Sequence, residues 1–241
     1  MNVGGEYWGE LYLRSTRPFL SEETAAREVA YLERAFAGVP GPLLDVGCGE
    51  GRHAGPLGRS RGDVLGLDID RLSLASRRPG FTAVRGDFRA LPFGRSSLGG
   101  AYAWYSTLFI GSDEQNARVL SEVARALRPK GRLVLHTVPY ERLAAQPTAR
   151  FERTLPDGSH LAEASAFDPV TGVDRGEGRL ALPDGRVLCG TYSIRYYPRP
   201  ELLSLLRAMG LAVLWEHGDL DGAHASPTST DLIIGAERKD A

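Results

Sequence analysis

The sequence predicts an α/β protein: a doubly wound sheet carrying a small antiparallel β cap. Two observations support this. From Leu43 to Asp70 the chain reads LLDVGCGEGRHAGPLGRSRGDVLGLDID. A short apolar run, a glycine-rich turn, a helix-compatible segment and a second apolar run ending in an acid follow one another, the order of a βαβ unit with strands buried on both faces. Residues 147–198 break that alternation. There the turn signals Pro156-Asp157-Gly158, Pro169 to Gly172 and Pro183-Asp184-Gly185 separate extended runs, the pattern of an antiparallel meander. The expected organisation is a core of 1–146 and 199–241 with a cap inserted at 147–198.

Taken in order, residues 1–20 hold Tyr7, Trp8 and Tyr12 ahead of any regular pattern. Ser21 is placed to cap a helix, with Glu22 and Glu23 at its positive end. Ala25, Val29, Leu32 and Phe36 form one apolar helix face, and Gly38, Pro40, Gly41 and Pro42 stop it. Leu43, Leu44 and Val46 suit the first core strand. A helix over roughly residues 53–59 leads to the second strand, Val64 to Asp68, after which Asp70 caps a short helix. Phe81–Arg85 and Leu98–Trp104 read as the third and fourth strands. Ser112 or Asp113 starts a helix whose face is Ala117, Leu120, Val123, Ala124 and Leu127. Leu133-Val134-Leu135 makes the fifth strand, with His136 at its carboxyl end. After the meander, Leu202, Leu203, Leu206 and Met209 drive a last helix, and Leu211–Trp215 and Asp231–Ile234 form a closing strand pair.

Composition narrows the function. The 241 residues, 42% hydrophobic, suffice for one large core with an appended cap. A net charge of −1 and no basic tail leave no electrostatic footprint for nucleic acid. No apolar run approaches the roughly 18 residues of a membrane span, and the N-terminus lacks the apolar centre of a signal peptide. A cytoplasmic protein without a membrane partner is expected. Cys48 and Cys189 read as unpaired, and the five histidines show no metal-ligand spacing.

The chemistry concentrates in the glycine turn. Gly47, Gly49 and Gly51 let the backbone turn sharply and approach a ligand. Asp68 stands 23 residues after Asp45 (68 − 45), a distance that suits ribose hydroxyls. The turn reads D-x-G-x-G-x-G, from Asp45 to Gly51, and not the G-x-G-x-x-G of dinucleotide sites. Asp45 and Glu50 disfavour a pyrophosphate, which argues against a nicotinamide oxidoreductase. They suit a ligand with a cationic end, such as the ammonium and sulfonium of S-adenosylmethionine.

On these residues the chain resembles the class I S-adenosylmethionine-dependent methyltransferases, in the form of bacterial small-molecule enzymes with a β cap. The resemblance implies a seven-stranded sheet with an antiparallel last strand and a cap over the active site. It also implies methyl transfer to an N or O atom of a small-molecule acceptor, with S-adenosylhomocysteine as product. Its cofactor residues fall on Asp45, Gly47, Cys48 and Gly49 in the turn, Asp68 and Ile69 after the second strand, and Asp87 and Phe88 against adenine. Ala103 at the fourth strand's end and Tyr12 from the aromatic leader complete the set. The N-P-P-Y-like tetrad of enzymes acting on flipped-out bases is absent. Gly99-Gly100 replace the Asp usual near the start of the fourth strand, and Lys130 replaces a usual glycine.

Methyl transfer needs positioning more than acid–base help, since the donor is already activated. Candidates for a base or substrate anchor are His136, Tyr105, Tyr197 and Arg195, with His160 in the cap. Arg195 and Tyr197 share a strand face by period two, so both are expected to look into the mouth. Arg195 there would suit a carboxylate or phosphate on the acceptor. Two other readings stay open: a non-catalytic binder of S-adenosylmethionine or S-adenosylhomocysteine, and methylation of RNA or protein.

Overall fold

The computed structural model describes residues 2–16 and 19–240. The chain begins with β1 (Asn2–Glu6) and the short α1 (Glu10–Ser15), then α2 (Glu22–Ala35). Ser21 accepts the Thr24 N–H and so satisfies one orphan donor at the start of α2. The core proceeds through β2 (Leu43–Val46), α3 (Ala54–Arg61), β3 (Val64–Asp68), α4 (Arg71–Ala75) and β4 (Thr82–Arg85). Next come β5 (Leu98–Ala103), α5 (Asp113–Ala126), β6 (Leu127–Thr137) and α6 (Tyr140–Ala145). The meander is β7 (Thr148–Thr154), β8 (His160–Asp168), β9 (Val173–Ala181) and β10 (Val187–Arg195). The chain closes with α7 (Arg199–Ala208), β11 (Leu211–His217) and β12 (Leu232–Arg238).

Seven strands form the main sheet in the order β11-β12-β6-β5-β2-β3-β4. β2, β3, β4, β5 and β6 run parallel, and β12 enters antiparallel between β6 and β11. The doubly wound sheet with an antiparallel last strand is thus present. One apolar layer on this sheet gathers Val119, Leu120 and Val123 of α5 and Leu202 and Leu206 of α7. The other gathers Val29 and Leu32 of α2 with Leu57 of α3. Burial on both faces is the reason β2 is apolar at every position except Asp45.

The cap is a second sheet, β1-β10-β9-β8-β7. Its four meander strands match the expected insertion. β1 is an addition: Asn2 to Glu6 lie parallel to Val187 to Thr191 of β10, so residues expected in the core segment belong to the cap sheet. The cap has its own apolar cluster, with Tyr7 and Leu11 packed against Leu161, Leu180 and Leu188.

Candidate functional site

A cavity of about 1510 Å³ lies between the carboxyl edge of the main sheet, α1 and the cap. Its floor is the turn after β2. Gly47, Gly49 and Gly51 have φ of 75°, 54° and 79°, left-handed values that glycine adopts without steric cost. A Cβ on Gly47 would lie 2.3 Å from Thr107 Cγ2, whereas a Cβ on Gly49 would meet nothing within 4 Å. Gly49 therefore faces the open cavity, where a ligand can approach bare backbone.

Asp68 ends β3 beside this turn. Its Oδ2 accepts the Gly49 N–H at 2.7 Å and its Oδ1 accepts the Asp70 N–H at 2.8 Å. Each oxygen keeps a second lone pair for a ligand hydroxyl. Burial pushes the Asp68 carboxyl upward against these bonds. Asp70 caps α4 through the Leu72 and Ser73 N–H groups. The neighbouring Ile69 is 56% exposed and lines the cavity, an apolar surface beside the acid.

Asp45 is buried, and its Oδ2 finds no hydrogen-bond partner among the described residues. Burial raises its carboxyl to about 7, against the opposing pull of Tyr102 and Arg52. A buried acceptor short of a partner on the cavity wall suits the cationic end of a ligand. Asp87 and Phe88 also line the cavity, and Asp87 is held below the usual carboxylate range first by the Arg89 guanidinium. Tyr12 of α1 closes the opposite side beside Trp8. From the cap, Ser165, Gly176 and Tyr192 line the same space. Cys48 borders the turn, and burial pushes its thiol far up, so it is no nucleophile.

Five expected site residues lie elsewhere. Ala103 is 2% exposed and packs in the core of β5, while Trp104, Tyr105 and Thr107 take the wall. His136 is buried beside the cavity and both ring nitrogens are engaged: Nδ1 accepts the Tyr105 N–H at 3.1 Å and Nε2 pairs with Asp231 at 3.0 Å. Tyr197 is buried against Phe109, where its hydroxyl donates to Asp113 Oδ1 at 2.8 Å. Arg195 turns to Asp113 and Glu201, at 3.1 and 2.8 Å, and stacks on Tyr197. Period two places those two residues on one face, but that face packs on α5 and α7. His160 is exposed and bonded to Thr154. Only Tyr105 of the candidate anchors reaches the cavity.

One group was not anticipated. Glu28 of α2, 3% exposed, receives the Arg52 guanidinium, His53 Nε2 at 2.9 Å, Trp104 Nε1 at 3.1 Å and the Tyr105 hydroxyl at 2.5 Å. Burial raises Glu28, but these partners outweigh it and hold the carboxyl at about 2. His53 falls to about 4, chiefly through burial. The signal was available: Glu28 follows Ala25 by three and precedes Leu32 by four, an acid within the apolar stripe of α2. No group of acids, cysteines and histidines able to hold a metal occurs among the described residues.

Residues 43–131 match the family model described as a methyltransferase domain. The CcbJ methyltransferase of Streptomyces caelestis shares 21% identity, with 90% of each chain covered and a TM-score of 0.77. The sugar N-methyltransferase KedS8 of Streptoalloteichus shares 20% identity over 100% of this chain and 97% of that one, with a TM-score of 0.76. The amino pentose methyltransferase CalS10 of Micromonospora echinaspora, solved with S-adenosylmethionine bound, shares 21% identity over 95% and 97%, with a TM-score of 0.68. No curated protein matches the chain. The match to a methyltransferase domain thus spans residues 43–131, and the chain shares its overall fold with these S-adenosylmethionine-dependent enzymes.

Proposed function

We propose that the protein is an S-adenosylmethionine-dependent methyltransferase and that it methylates a nitrogen atom of a small-molecule acceptor, an amine of the amino-sugar kind. The observation that supports this best is one cavity shared by the glycine turn and the cap. Its volume of about 1510 Å³ leaves room for an acceptor beside a nucleoside cofactor. The names of KedS8 and CalS10, a sugar N-methyltransferase and an amino pentose methyltransferase, favour nitrogen over oxygen.

In this reading Asp68 takes the ribose hydroxyls, with Ile69 against the base. Asp87 and Phe88 read adenine, and Asp45 and Gly49 face the methionine end. S-adenosylmethionine, when bound, would supply an already activated methyl on its sulfonium. The chain's task is to align the acceptor and exclude water, worth about 7–11 kcal/mol in favourable cases. Residues 147–198 with β1 serve as the part that selects the acceptor. Among the described residues no helix is long and apolar enough to cross a membrane. We place the protein in the cytoplasm, which suits two cysteines that remain free thiols.

The test is turnover of labelled S-adenosylmethionine with methylamine, ethanolamine and D-glucosamine, read as S-adenosylhomocysteine and methylated amine by mass spectrometry. Binding without turnover on these amines or a metabolite extract would indicate a binder. Label on RNA or protein would indicate a macromolecular acceptor.

A further inference from the structure

Tyr105 is held from both ends. Its backbone N–H donates to His136 Nδ1 at 3.1 Å, and His136 Nε2 donates to Asp231 Oδ1 at 3.0 Å. The His136 ring stacks on Trp104, with centroids 4.8 Å apart and planes 11° from parallel. At the other end the phenol donates to Glu28 Oε1 at 2.5 Å. The residue has φ of +53°, a left-handed conformation that costs a non-glycine residue about 1–2 kcal/mol. Yet its side chain is not part of the core. Tyr105 is 40% exposed, and it lines both the main cavity and a neighbouring one of about 270 Å³. A strained backbone, two buried polar systems and an exposed ring are more than packing requires.

We propose that Tyr105 orients the methyl acceptor, its phenol oxygen accepting a hydrogen bond from the reacting amine N–H, and that Glu28 is the positioning residue that fixes this phenol. The inference rests on the methyltransferase reading above and deepens it. The only phenol hydrogen is committed to Glu28 and Arg52 also hydrogen-bonds the phenol, so the oxygen offers a ligand its remaining lone-pair capacity alone. The partner must then be a donor, as an amine is. The Arg52 guanidinium lies 5.3 Å from the Tyr105 ring centroid. Arg52 is itself paired with the Glu28 carboxylate, and the acceptor able to attack is the neutral amine. Burial pushes the Tyr105 phenol well up, while Glu28 stays ionised. Neither group exchanges a proton near neutrality, so the pair orients the acceptor and does not act as its base.

Tyr105→Phe and Glu28→Gln are compared with the wild type on methylamine, ethanolamine and D-glucosamine. Tyr105→Phe keeps the ring and its contact with Arg52, so it tests the oxygen even where Glu28→Gln fails to fold. Tyr105→Phe is expected to lower kcat/KM for the best amine at least tenfold, mostly through acceptor KM. Its dissociation constant for S-adenosylmethionine stays within threefold and its melting temperature within a few degrees. Folded Glu28→Gln shows the same split in weaker form. Turnover by Tyr105→Phe within threefold of wild type overturns the proposal, as does an equal loss of cofactor binding. A wild type that binds S-adenosylmethionine but methylates none of the three amines also overturns it and leaves the cofactor site standing. A wild type that does not bind S-adenosylmethionine removes the underlying reading instead.

Discussion

Gly49 donates its N–H to Asp68 Oδ2 at 2.7 Å, so the glycine turn and the end of β3 act as one rigid unit. Asp68 therefore presets the turn and stays available to ligand hydroxyls. Asp68→Ala is expected to weaken S-adenosylmethionine binding at least tenfold, about 1.4 kcal/mol, the scale of a hydrogen bond to a charged group. Asp70→Ala, which removes only the cap of α4, is expected to cost about 1 kcal/mol of stability and leave affinity within threefold. Calorimetry and denaturant melts on both variants separate the roles. Equal affinities for Asp68→Ala and wild type exclude the ribose assignment.

The proposed place of Asp45 at the cofactor's cationic end predicts binding that depends on pH. Burial raises its carboxyl to about 7, so near neutrality it is partly protonated in the free protein. A cationic ligand end favours the ionised form, so binding expels a proton. Affinity is expected to rise with pH up to about 7 and level above it. Calorimetry in buffers of different ionisation enthalpy should show proton release for wild type and none for Asp45→Asn. Wild-type binding with no proton release removes Asp45 from the linkage.

The two cavity-floor glycines should respond differently to alanine. Gly47→Ala places its Cβ 2.3 Å from Thr107 Cγ2 and is expected to destabilise the fold itself. Gly49→Ala meets no neighbour, so its cost is the strain of a left-handed alanine, on the order of 1 kcal/mol. Its Cβ instead occupies ligand space. The predicted signature is a near-normal melting temperature with a large loss of S-adenosylmethionine affinity. Gly49→Ala protein that binds as wild type shows that no ligand approaches there.

Most of the fold was legible because it is local. The apolar runs, caps and turn residues that set β2 through α5 lie within a few residues of one another, as do the glycines and acids of the turn. β1 was not legible, since Asn2 pairs with Val187 across nearly the whole chain. Arg195 and Tyr197 failed for a different reason. Strand period shows which residues share a face but not which face looks into a cavity. Glu28 left a local trace, yet its partners Arg52, His53, Trp104 and Tyr105 come from two other segments.

His53 should make the protein acid-sensitive. Its folded value is about 4, depressed mainly by burial from an ordinary 6.5. The unfolded chain therefore takes up the proton first. The stabilisation is full above about 6.5 and is lost as pH falls through about 4, at most about 3 kcal/mol. Asp45 works oppositely in part of this range, so the informative quantity is the difference between wild type and His53→Gln. Denaturant melts from pH 7 to 4 should show that difference shrinking. A difference constant with pH means that His53 titrates alike in both states.

Arg195 reverses a sequence expectation and provides the sharpest test of the cap's attachment. It leaves β10 and reaches Asp113 of α5 and Glu201 of α7, while Nη1 donates to the Tyr196 carbonyl at 2.7 Å. The two acids are 67% and 48% exposed, so the ion pairs themselves contribute little. Its stacking on Tyr197, 4.2 Å from the ring centroid, and the carbonyl bond contribute more. Arg195→Ala is expected to destabilise the fold by about 1–2 kcal/mol and to leave cofactor affinity and acceptor KM within threefold. Arg195→Lys should recover little, because an ammonium cannot reproduce a planar stacked fork. If Arg195→Ala instead raises acceptor KM tenfold at unchanged stability, the residue binds substrate after all and the cap must move to present it.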